Sequence, residues 1–237
     1  MWTDGDGVTH EIWAITDPER TAALTKAVSA SPLVIADGHH RYETSLAYRD
    51  ERREVDGPGT PADATLCYVV ELTEDQLTVR AIHRLIDGFA NIDLADALAA
   101  RPGFTRSGTV DAADVRSGAV LARLDEVGGI AVVGTDGSAT LLAVDALDPA
   151  FTDLDDLDSS RLAATLDDMG EHGLRYQHGT DRAQEAVLEG SADWAVLIRP
   201  VSVTAIRVNA HSGRRMPPKS TFFHPKPATG IVFRLLD

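Results

Sequence analysis

The feature that most constrains this 237-residue chain is the stretch Leu33-Val34-Ile35-Ala36-Asp37-Gly38-His39-His40-Arg41-Tyr42-Glu43-Thr44-Ser45-Leu46. Its four leading apolar residues predict a short buried strand, and the pattern after Gly38 predicts a helix from His39 to about Arg53. A strand turning through glycine into a helix aims unpaired N–H groups and the positive end of the helix dipole at one point. Arg41, in the first turn, adds a planar fork suited to phosphate or carboxylate. The stretch therefore predicts an anion site for a nucleotide or phosphate ester.

Around it the chain reads as alternating strands and helices, which predicts an α/β arrangement. Glu11–Ile15 predicts a first strand. Asp17 and Pro18 predict a helix start, with the helix running to about Ser29 and burying Leu24 and Val28. Ala64–Leu72 and Leu77–Ile82 predict two further strands, the second closed by His83-Arg84. Asp136-Gly137 predicts a hairpin between Gly129–Val133 and Ala139–Val144. The acidic run Asp153–Asp158 predicts a solvated linker. Further helices are expected at Ser159–Met169, from Thr180 to Gly190, and at Val201–His211 with Gly213 as its stop. Trp194–Ile198 predicts a buried strand, and Phe222-Phe223 and Ile231–Phe233 predict two terminal ones.

The formal net charge is −15, from 37 acids and 22 bases. An acidic surface disfavours a phosphate-backbone partner, so nucleic acid is not expected. The charge is uneven: residues 194–237 hold seven bases and one acid, a net +6, leaving −21 for residues 1–193. No apolar run is long enough to span a membrane. The N-terminus lacks the basic and apolar segments of a signal peptide. Cys67 is the single cysteine, which fits a cytoplasmic setting, and its apolar neighbours predict an inert core position.

Three groups could carry chemistry. In the first, Gly38 admits close approach of a ligand, His39, His40 and Arg41 contact phosphate, and Asp37 caps the helix or holds a metal. Asp37 and Glu43 are the candidate catalytic carboxylates, as Mg²⁺ ligand or base. The second is the basic loop from Arg214 to Gly230, where Arg215, Lys219, Ser220, Thr221 and Lys226 could meet phosphate, although no P-loop context is present. The third is His83-Arg84, for which bonding to backbone competes with a binding role. Zinc spacing, a nucleophile elbow and a dinucleotide fingerprint are all absent. Mg²⁺ carried in with ATP or ADP is the metal these residues best suit.

The segments "ADGHHRYETSLAYRDE", "IHRL" and "RRMPPKSTFFHPKPATGIVF" closely resemble those of the prokaryotic family domain of unknown function 1015. "LRYQHGTDRAQEAVLEGSADWAVLIRP" follows the pattern of that family too. The resemblance runs from about Val8 to Val232, and it implies a further N-terminal segment ahead of this region. More distantly, Asp-Gly-His-His-Arg after a strand is similar to the phosphate-contacting motif of the ParB, sulfiredoxin and free-serine-kinase superfamily. That likeness implies a mixed α+β fold with a ParB/sulfiredoxin-like strand–turn–helix core at residues 1–90 and a second α/β lobe at 91–237. It also implies a nucleotide with Mg²⁺ and a small hydroxylated acceptor, as for a serine-kinase-like phosphotransferase. The alternatives are a non-catalytic sensor of a phosphorylated or carboxylated ligand, and a metal-dependent phosphoesterase using His39 and His40.

Overall fold

A computed structural model of the chain describes residues 1–5, 7–211 and 216–236. The fold is mixed α+β, and the chain divides into two compact units. The first comprises residues 1–70 with 225–237, and the second residues 71–224. His83 and Arg84 thus fall in the second unit. No helix among the described residues is long and apolar enough to cross a membrane.

In the first unit, β1 (Trp2–Thr3) pairs antiparallel with β2 (Thr9–His10). Helix α1 (Pro18–Ser29) begins where its cap requires: Asp17 Oδ1 accepts from Arg20 N at 2.8 Å, and Pro18 occupies a first-turn position that needs no donor. Helix α2 (His39–Asp56) follows the Asp37-Gly38 turn and ends at Gly57. The strands expected at residues 11–15, 33–36, 64–72 and 231–233 do not form. Each segment stays without a ladder partner among the described residues, and apolar sequence alone cannot make a strand whose N–H and C=O groups find no neighbour. Leu24 and Val28, expected to be buried by α1, are exposed because no described residue buries that helix; Leu33, Val34 and Tyr68 are exposed too, and Cys67 is exposed rather than core.

The second unit is built on a six-stranded antiparallel sheet. It uses β4 (His83–Asp87), β5 (Phe104–Val110), β6 (Gly129–Val133), β7 (Ala139–Val144), β8 (Gly173–Gln177) and β9 (Trp194–Leu197) in the order β5-β7-β6-β9-β4-β8. Central strand β6 is buried throughout, and its period-2 alternation feeds two cores. Ala131 and Val133 join Val115, Leu124 and Val187 on one face. Ile130 and Val132 join Leu94, Leu98, Leu162 and Leu166 on the other. The helices that cover these faces are α3 (Leu94–Ala99), α4 (Ala112–Ser117), α5 (Val120–Val127), α6 (Asp158–Met169) and α7 (Thr180–Leu188). A separate ribbon pairs β3 (Thr78–Arg80) with β10 (Phe222–His224) beside α8 (Val203–His211). The expected stop at Gly213 lies outside the described residues.

Two expectations are corrected here. His83-Arg84 opens β4 instead of closing the preceding strand, because β3 ends at Arg80 and belongs to a different sheet. The run at 153–158 is not solvated throughout: Asp158 is buried and takes two bonds from Arg199, at 2.8 and 2.7 Å.

Candidate functional site

The start of α2 is an uncapped helix N-terminus. Gly38 occupies the cap with φ 84° and ψ 28°, supplies no side-chain cap, and the first turn contains no acid. Its left-handed conformation is one that L side chains rarely adopt. A Cβ on Gly38 would also lie 2.7 Å from Nη2 of Arg41, so the guanidinium folds back over the glycine. The backbone turn closes normally, with Tyr42 N donating to Gly38 O at 3.0 Å. First-turn N–H groups have no intrahelical acceptor, and they carry the positive end of the dipole.

Asp37 is the one acid at this point, and it is already engaged. Its Oδ1 accepts from Gly38 N at 2.8 Å, and its Oδ2 accepts from Lys226 Nζ at 2.7 Å. The Lys226 hydrogen bond holds the Asp37 carboxyl below the usual carboxylate range; partial burial opposes this, and the Gly38 bond and Arg41 charge add to it. Asp37 therefore stays ionised, but it balances only one of two cations. Arg41 and the positive end of the helix dipole add to Lys226 at this turn, and Glu43 stands next in the helix. His40 Nδ1 lies 3.4 Å from Glu43 Oε2, and both side chains are exposed.

Asp37 is the residue here expected to serve a metal. Both Asp37 oxygens are engaged, one of them by a cation where a metal ion would sit. No three His, Cys, Asp or Glu side chains converge to hold an ion among the described residues.

The other expected residues divide between the two units. Lys226 belongs to the first unit, whereas His83, Arg84, Lys219, Ser220 and Thr221 belong to the second. Arg215 lies outside the described residues. His83 is buried and its pKa is pushed down to about 4, mainly by desolvation, with the Arg84 and His178 charges adding to it. It is neutral at physiological pH, and its Nδ1 faces Ile198 N at 3.4 Å. Arg84 is buried as well. It donates to the carbonyls of Ile82 and, at 3.3 Å, Lys219, and its guanidinium sits 4.9 Å from the Tyr176 ring centroid. The pair is thus tied to backbone. Lys219 holds a left-handed φ of 59°, and Ser220 Oγ donates to Pro217 O at 2.7 Å, so this loop's hydroxyl is spent internally.

The hollows in the surface include the following two. One, of about 510 Å³, is lined by Asp87, Gly88, Glu171, His172 and Gly173 and holds none of the expected residues. The other, of about 380 Å³, lies along α2 itself and is lined by Thr44, Ser45, Tyr48, Thr65, Phe233 and Arg234 among others. Sequence reasoning missed it. The available signal was Ser45 and Tyr48 at four and seven residues beyond Arg41, one face of the same helix.

Comparison with known proteins gives three results. The family model described as "Protein of unknown function (DUF1015)" matches residues 1–160. Curated proteins give no match. Among solved structures, the chain is similar to a free serine kinase in complex with AMP, at 13% identity over 88% of this chain and 81% of that one, with a TM-score of 0.43. A variant of a free serine kinase in complex with ADP gives 13%, 89%, 82% and 0.44. A conserved hypothetical protein from Pyrococcus furiosus gives 12%, 86%, 82% and 0.42.

Proposed function

We propose that this chain, which belongs to the DUF1015 family, binds the phosphate groups of a nucleotide at the start of α2 and transfers a phosphoryl group to a small hydroxylated metabolite. The observation that carries the reading is the Lys226 ammonium, 2.7 Å from Asp37 at the turn over which Arg41 folds. Two cations and an uncapped helix end converge at this turn, and such a combination suits phosphate.

The roles follow from the chemistry. Gly38 lets the ligand approach the backbone, and the first-turn N–H groups donate to its oxygens. Arg41 and Lys226 neutralise charge that builds on the transferred group. Asp37 is a positioning residue: its lowered pKa makes it a poor proton acceptor, and its work is to hold Lys226. Glu43, beside His40, is the candidate base. The acceptor hydroxyl loses its proton to Glu43 as its oxygen bonds to the terminal phosphorus, and the bond from that phosphorus to the nucleoside diphosphate breaks.

The test is ³¹P NMR of the protein incubated with nucleoside triphosphates and a panel of small alcohols, serine among them. A phosphotransferase gives a new phosphomonoester signal in step with nucleoside diphosphate. Binding without a new signal favours the sensor reading, to which the exposure of Glu43 and His40 lends support. Absence of binding at millimolar nucleotide removes both.

A further inference from the structure

Helix α2 presents Arg41, Ser45 and Tyr48 on one face, since residues four and seven apart align along a helix. Arg41 folds toward the N-terminal turn, and Ser45 and Tyr48 line the cleft of about 380 Å³. At about 1.5 Å per residue, Tyr48 stands roughly 10 Å along the axis from Arg41. A cleft of this size falls in the range that holds small organic ligands.

The hydrogen-bonding groups of the cleft select its occupant. The Thr44 hydroxyl spends its proton on His40 O at 2.8 Å, and that of Ser45 spends its own on Arg41 O at 2.9 Å. Thr65 Oγ1 lies 3.3 Å from Ser45 Oγ. With their protons committed to the helix, Thr44 and Ser45 face a ligand as acceptors. Arg234 supplies the opposite character. Its Nη2 donates to Pro61 O at 2.5 Å, while its Nη1 is buried without a hydrogen-bond partner. Arg234 lines the cleft as a side chain that can only donate. Phe233 and Tyr48 add flat aromatic surface.

A carboxylate or free phosphate offers acceptors alone and would leave Thr44 and Ser45 unmatched. A nucleobase offers donors and acceptors on one planar edge, and faces that stack on aromatic rings. We infer, resting on the phosphate reading of the α2 start, that the cleft formed by Thr44, Ser45, Tyr48, Thr65, Phe233 and Arg234 holds the nucleobase end of the nucleotide whose phosphates lie at Gly38 and Arg41. One face of one helix then carries both ends of the ligand.

Calorimetric titration tests this with tripolyphosphate, adenosine and the four common nucleoside triphosphates, against wild type, Phe233→Ala and Arg234→Gln. Circular dichroism verifies that each variant is folded; Phe233 is 79% exposed, so its removal should leave the fold intact. At least one nucleoside triphosphate should bind ten-fold or more tightly than tripolyphosphate. Both variants should reduce that affinity to the tripolyphosphate level and leave tripolyphosphate binding unchanged. Equal binding of tripolyphosphate and every nucleotide overturns the cleft assignment while the phosphate site stands. A nucleotide preference that survives both substitutions overturns it as well. Adenosine binding that both variants abolish, without any tripolyphosphate binding, supports the cleft and removes the phosphate site. No binding of any probe at millimolar concentration overturns both.

Discussion

Lys226 Nζ lies 2.7 Å from Asp37 Oδ2, although 189 residues separate the two in sequence. The contact joins the basic C-terminal segment to the turn before α2 within one unit of the chain. It gives the Asp-Gly-His-His-Arg motif a second cation. It also keeps the Asp37 carboxyl below the usual carboxylate range.

Removing that ammonium should be visible at Asp37 directly. Lys226→Ala should raise the Asp37 pKa toward its ordinary value, read by a carbon-detected carboxyl titration. Because the folded-state pKa is lowered, the pair stabilises the protein above the unfolded-state pKa and is lost as pH falls through the folded one. Both side chains are substantially exposed, so the effect on stability is about 0.2–1 kcal/mol.

Gly38→Ala should act on stability and binding together. The left-handed φ costs about 1–2 kcal/mol for an L side chain, and the new Cβ would meet Arg41 Nη2 at 2.7 Å. Urea unfolding should show that loss, and phosphate affinity should fall as Arg41 is displaced. An unchanged affinity would mean that Arg41 binds without its place over Gly38.

His83 should govern acid stability. Its folded pKa of about 4 lies below the ordinary 6.5, so the unfolded chain binds more protons between these values. Stability is therefore full above about pH 6.5 and lost as pH falls toward 4, by an amount on the order of 3 kcal/mol. His83→Asn keeps an acceptor toward Ile198 N and should flatten that pH dependence in urea titrations.

Asp158→Asn should destabilise the second unit by about 3 kcal/mol, because it leaves the Arg199 and Arg161 guanidinium groups without their shared buried carboxylate. Thermal unfolding measures it, and phosphate affinity at the first unit should not change.

What was legible in the sequence was local. Asp17-Pro18 marked the start of α1 and Asp136-Gly137 the β6–β7 hairpin, because caps and tight turns are set by a few neighbouring residues. Strands β5 and β8 went unseen because they are the two edges of the sheet. Their exposed interiors, such as Thr105 to Thr109, read as loop. The apolar segments at 11–15, 33–36 and 64–72 misled in the opposite direction, since a strand requires a partner that no local pattern supplies. For the site, the glycine turn and Arg41 were readable, and the basic island was visible as composition. Which of its lysines reaches Asp37 is a long-range pairing, and only the fold identifies Lys226.

The most direct test is calorimetric titration of a nucleoside triphosphate into wild type, Arg41→Ala, Lys226→Ala and the double variant. A phosphate site at the start of α2 predicts at least a ten-fold loss of affinity for each single variant and no measurable binding for the double one. Wild-type affinity retained in the double variant would contradict it.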